Sequence, residues 1–184
     1  MAGQRFEGRT AAVTGAGGFI GNAICRRLAA EGASVRGLDV NPAAASRVTA
    51  TGAAFVEADI TDREALGAAL DQASLVVHTA AQVRDWGSMD EFVRVNVAGT
   101  ANVLDAGAEA GADRVVHISS VVVYGYESRS EQDERAHRRT HGVPYIDTKS
   151  ASDRLACRGG ALVIRPGDVY GPGTVPWTLR HLQI

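Results

Sequence analysis

The chain has 184 residues, 45% hydrophobic and 22% charged, enough for one compact α/β unit with its own core. Nineteen Lys and Arg stand against 21 Asp and Glu, a formal net charge of -2, and no long basic stripe steers it toward nucleic acid or an anionic membrane. Two cysteines without a Cys/His cluster make neither a disulfide framework nor a metal site, and no apolar run reaches the roughly 18 residues of a spanning helix, so the reading is a cytoplasmic, metal-free protein.

Strands and helices alternate along the sequence. Residues 10–14 form a β-prone run, residues 15–21 a glycine loop, and Ile20, Ala23, Ile24 and Leu28 then share one helical stripe. Residues 34–38 predict a second strand, after which Asn41 caps a helix starting at Pro42. A third strand is expected over 53–58, followed by a capping box in which Thr61 caps and Glu64 reaches back. Residues 75–79 predict the fourth strand. Ser88 and Glu91 make a second capping box, opening a long helix that runs almost to Gly111. Residues 114–119 and 161–164 supply strands five and six, and repeated βα units imply a mostly parallel, helix-covered sheet of the Rossmann type. The domain reading is a nucleotide-binding unit over 1–176 with an irregular, solvated excursion at 127–142. Residues 177–184 then begin a smaller substrate-binding region that is largely absent.

The glycine loop lies where a strand opens into a helix, so Gly15 permits the turn, Gly18 a close phosphate approach and Gly21 tight helix packing. The N–H groups around Phe19 and Ile20 then face a pyrophosphate. Asp39 follows Gly21 by 18 residues, where a carboxylate accepts both ribose hydroxyls of NAD and repels the extra phosphate of NADP. Arg36 is the residue that would offset that repulsion. Asp59 and Ile60 follow strand three and either meet adenine or organise a turn; Thr79, Ala80 and Ala81 follow strand four, where small residues let a cofactor approach. His78 reads equally as packing or function. Tyr145 and Lys149, four residues apart, share a helix face on which the cation favours phenolate, and Ser120 is available from another element to hold a substrate oxygen.

These motifs taken together, Thr14-Gly-Ala-Gly-Gly-Phe-Ile-Gly21, Ser119-Ser120, Tyr145-Ile-Asp-Thr-Lys149 and Arg165-Pro-Gly-Asp-Val-Tyr-Gly-Pro-Gly173, resemble the extended short-chain dehydrogenase/reductase family over nearly all of residues 10–176. The resemblance implies NAD as cofactor and carries the catalytic serine, tyrosine and lysine onto Ser120, Tyr145 and Lys149. It carries a site-ordering or proton-relay asparagine onto Asn96. It also implies a homodimer through the helix beginning near Ser88 and the helix holding Tyr145. The expected activity is alcohol–ketone interconversion on a mostly apolar small molecule, closest in appearance to the 3-beta-hydroxysteroid dehydrogenase-like branch, with Trp86 and Tyr170 near the substrate. Nucleotide-sugar epimerisation or dehydration is the alternative, and an inactive NAD-binding fragment the other class. One departure stands out: only 16 positions separate Lys149 from Arg165, fewer than the resembling architecture has.

Overall fold

The computed structural model describes residues 5–84, 86–125, 132–172 and 174. Six strands form one parallel sheet: β1 (Thr10–Thr14), β2 (Ser34–Asp39), β3 (Ala54–Glu57), β4 (Leu75–His78), β5 (Arg114–Ile118) and β6 (Leu162–Ile164), in the order β3-β2-β1-β4-β5-β6. The order reverses between β1 and β4. All six carboxyl ends therefore lie along one edge, with a crevice at the reversal, the place where open α/β sheets bind ligands.

Helices cover both faces: α1 (Phe19–Ala30) and α2 (Ala45–Thr49) on one, α3 (Arg63–Leu70), α4 (Met89–Phe92), α5 (Gly99–Glu109) and α6 (Pro144–Arg158) on the other. Strand alternation splits the core accordingly. Ala12, Leu38 and Val76 pack with Leu66, Leu70 and Val103 under α3 and α5, whereas Ala11, Val13, Val35 and Val77 pack with Cys25, Leu28 and Val48 under α1 and α2. Gly107 lets α5 close on the sheet, since a Cβ there would stand 3.0 Å from Val115.

Local signals act largely where the sequence puts them. Asn41 accepts from the Ala43 N–H, Pro42 opens a short 3-10 turn ahead of α2, and Ser88 and Glu91 close both halves of their capping box. Two expectations change. The cap of α3 is Asp62, whose carboxylate accepts from the Ala65 N–H; the Thr61 N–H is turned back onto Asp59 instead. The long fourth helix is three pieces, because residues Val93–Ala98 wind as a π-helix between α4 and α5. Residues 132–142 of the excursion carry no helix or strand; its first residues and 177–184 lie outside the described residues. Among the described residues, no helix is long and apolar enough to cross a membrane, and no group of His, Cys, Asp or Glu is arranged to hold a metal.

Candidate functional site

The glycine loop joins β1 to α1 at the crevice. Gly15 has φ +70°, and a Cβ there would press to 2.8 Å on the Ala80 backbone, so strand four's end approaches it directly. Thr79 closes this junction by donating its hydroxyl to the Thr14 carbonyl at 2.6 Å. Gly18 is the N-cap of α1 and offers no side-chain acceptor, and the first turn holds no acidic residue. The first-turn N–H groups around Phe19 and Ile20 are thus left for an anion, at the positive end of a twelve-residue helix. Such a cradle fits the pyrophosphate of a dinucleotide.

Gly17 is tightly constrained in the loop, a role the sequence did not single out for it. Its N–H donates to Asp39 Oδ2 at 2.8 Å, and a Cβ on it would lie 2.7 Å from that oxygen and 2.6 Å from Ala44. The other Asp39 oxygen accepts from the Asn41 N–H at 3.0 Å. The carboxylate is therefore fixed beside the loop with lone pairs left over. Arg36, the residue that would offset its charge, points elsewhere: its guanidinium donates to the carbonyls of Ala69 and Asp71 at the end of α3. Asp59 spends one oxygen on the Thr61 N–H at 2.8 Å, the turn-forming role, and the Ile60 side chain is core, packed against Gly99. Ala80 and Ala81 are half-buried at the end of β4.

Gly21 packs where nothing larger fits, for a Cβ would come 2.2 Å from the Gly15 carbonyl oxygen. Gly21→Ala is expected to cost about 1–3 kcal/mol of stability by overpacking and to weaken dinucleotide binding at least tenfold. Gly67→Ala, in α3 with nothing within 4 Å, is expected instead to add roughly 0.4–1 kcal/mol. Urea unfolding of the two variants checks the contrast.

Lys149, only 3% exposed, donates from Nζ to the Ile118 carbonyl at 2.9 Å, two residues before Ser120. That contact sets the helix bearing Tyr145 against the end of β5. Burial pushes the Lys149 ammonium down to about 8, with the Asp153 charge opposing the shift, so it stays mostly protonated at neutral pH. Ser120 caps the 3-10 turn Val121–Tyr124, accepting from the Val122 N–H at 3.3 Å, which leaves its own O–H to donate. Tyr145 is half-buried in the first turn of α6, directly after Pro144. Asn96 sits within the π-helix. Its Oδ1 accepts from the Gln82 N–H at 2.7 Å, and its Nδ2 donates to the Gln82 carbonyl and to Thr148 Oγ1. One amide thereby ties the loop after β4 to α6 beside Lys149.

Beneath the lysine, His78 is wholly buried between Thr14 and Thr100, at 2.8 and 3.0 Å, and lies 5.1 Å from the ring of His117. Burial holds His78 down at about 3 and His117 at about 2, with the Lys149 charge acting in the same direction on both. Both rings are therefore held neutral at neutral pH. Sequence reasoning also missed Asp153, a buried carboxylate that accepts from Ser119 at 2.7 Å, from Arg138 at 2.7 Å and from two nitrogens of Arg165 at 2.7 and 2.9 Å. Arg165 also lies over the Tyr124 ring, 5.7 Å from its centroid. The knot joins the ends of β5 and β6 to α6, and the spacing of Asp153 four residues after Lys149 is its one sequence signal.

This fold and site have counterparts. The chain is 31% identical over 170 residues to a 2-alkyl-3-oxoalkanoate reductase of Stenotrophomonas maltophilia, covering 88% of this chain and 51% of that protein. It is 36% identical over 155 residues to the low-salt glycan biosynthesis protein Agl12 of Haloferax volcanii, covering 78% and 49%. Among solved structures, DesIV of Streptomyces venezuelae, a dTDP-glucose 4,6-dehydratase with NAD and TYD bound, superposes with a TM-score of 0.79 at 31% identity, covering 94% of this chain and 60% of that one. The chain spans about half the length of the curated relatives it matches. The likeness is to the wider family, and none of these three is named as a hydroxysteroid dehydrogenase. Residues 11–182 match the NAD dependent epimerase/dehydratase family, and the chain belongs to it.

Proposed function

We propose that this chain forms the cofactor-binding and proton-transfer part of an NAD-dependent enzyme acting on a secondary alcohol carbon of a small organic or sugar substrate. Nucleotide sugars are the preferred class, because solved relatives such as DesIV and the UDP-glucose 4-epimerase of Thermus thermophilus are nucleotide-sugar enzymes with NAD bound. The observation that carries the reading is the uncapped, acid-free start of α1 opening on the same sheet edge as Ser120 and Lys149. Bound NAD supplies the hydride acceptor. The chain supplies the rest.

The N–H groups after Gly18 hold the pyrophosphate, and Asp39 accepts from the adenine-side ribose. Ser120 donates its O–H to the substrate oxygen. Tyr145 takes the alcohol proton as hydride leaves the carbon, and the buried Lys149 cation, with two N–H donors beyond the one given to Ile118, holds the nicotinamide ribose and supports the phenolate. Asn96 orders the site by fixing Gln82 and Thr148. A second reading, reduction of an apolar ketone, rests on the resemblance to the 2-alkyl-3-oxoalkanoate reductase and on Trp86 and Tyr170, 85% and 79% exposed in the segments that follow β4 and β6.

NAD is expected to bind at least tenfold more tightly than NADP, and Asp39→Asn to narrow that gap, in equilibrium titrations of both oxidised cofactors. Incubating the whole protein containing this chain with NAD and either UDP- and dTDP-glucose or secondary alcohols then separates the readings. Sugar conversion without accumulated NADH supports the first, and NADH from an apolar alcohol selects the second. Cofactor binding with neither conversion overturns both in favour of a binding module.

A further inference from the structure

The outer side of α6 carries a feature unrelated to the crevice. His137, Arg138, Arg154, Cys157 and Arg158 line an open cleft of about 410 Å³, within the range of small-molecule sites. Arg154 and Arg158 are one helical turn apart. Arg138 comes from the excursion after β5, whose backbone is drawn in when Arg154 donates to the Arg138 carbonyl at 2.9 Å. Charge around the cleft is unbalanced. Three guanidinium groups, those of Arg138, Arg154 and Arg158, line the cleft with no carboxylate among its lining residues, and Asp153 beside it already accepts from both Arg138 and Arg165. The other acid of α6, Asp147, is occupied at both oxygens by the N–H groups of His141 and Gly142. Among the described residues Arg158 has no hydrogen-bond or ion-pair partner.

A cation at the end of a helix also answers the helix dipole, worth about 0.3–1 kcal/mol. That accounts for Arg158 alone. It does not explain three arginines and a histidine around one concavity in a chain whose formal net charge is -2. We propose that this cleft binds a small phosphorylated anion, its diphosphate or paired phosphates held by Arg154 and Arg158 with Arg138 closing one side. Arginine forks match phosphate oxygens two at a time, and several such cations together suit a multiply charged group over a lone carboxylate. The cleft's volume of about 410 Å³ suits a small ligand and not the length of a nucleic-acid backbone.

Cys157 supplies the reporter. Its thiol is exposed on the cleft wall, 3.2 Å from Arg138 and 3.5 Å from Arg165, while Cys25 is buried. The test follows Cys157 labelling by the dianionic reagent DTNB at fixed ionic strength, with inorganic pyrophosphate as the probe and saturating NAD occupying the glycine loop. Pyrophosphate is expected to slow labelling saturably. In Arg154→Gln/Arg158→Gln the half-protecting concentration should rise tenfold or more, with NAD affinity unchanged. Absence of protection, equal protection in the double variant, or protection seen only without NAD each overturns the proposal. So does a thiol that is unreactive at every protein concentration because a second copy of the chain covers the face.

Discussion

Turnover of the whole protein is expected to fall by about 10²- to 10⁴-fold on Tyr145→Phe, while NAD affinity stays within about twofold. The substitution keeps the ring and its place after Pro144 in α6 and removes only the oxygen proposed to carry the proton. Binding contacts at the glycine loop and Asp39 belong to other elements, so the loss should appear in kcat with little change in cofactor titration. Undiminished turnover with an unchanged melting profile would remove Tyr145 from the chemistry and leave Lys149 and Ser120 without the group they are proposed to serve.

Asp153→Ala should be the most damaging single change to the fold, costing about 3–5 kcal/mol, because it strands the Arg165 guanidinium and the Ser119 hydroxyl around an empty anion site. Urea unfolding at neutral pH measures this, and its pH dependence separates the contribution from others. Burial pushes the Asp153 carboxyl up, but hydrogen bonds from Arg165, Ser119 and Arg138 outweigh it and hold it at about 2, below the ordinary 3.8. A lowered carboxylate stabilises above its unfolded value and stops doing so as pH falls through the folded one. The advantage of wild type over the variant should therefore shrink between about pH 4 and pH 2. The histidines act in a different window. Kept neutral at about 3 and about 2 against an ordinary 6.5, His78 and His117 make the unfolded chain the better proton acceptor, so wild type and variant alike should lose stability below pH 6.5. A variant no less stable than wild type at neutral pH would show that Arg165 and Ser119 find other partners.

How much of this was legible depends on how local each feature is. The six strands, the uncapped glycine turn, the Asn41–Pro42 start and the Ser88 capping box all rest on residues within a few positions of one another, and each stands within a residue or so of its expected place. The α3 cap slipped by one because Thr61 and Asp62 are both good caps, and only the Asp59 contact to Thr61 decides between them. Gly17 was passed over because its constraint comes from Asp39 and Ala44 across the crevice. The Asp153 knot gathers Ser119, Arg138 and Arg165 from 12 to 34 residues away, a separation that no periodicity reports. Nor does Val93–Ala98 announce a π-helix, since its composition suits an ordinary one.

That wide turn has a bearing on how the sequence can change. A helix wound with one extra residue is out of phase with a regular one, and each residue added or removed turns everything beyond it by roughly 100°. Losing a single residue between 93 and 98 would let α4 and α5 join as a plain helix, while swinging Asn96 away from Gln82 and Thr148. Substitutions at its exposed positions, Val93, Arg94 and Ala98, can be absorbed one at a time. A one-residue deletion would not be, so the length of the segment is under tighter constraint than those letters.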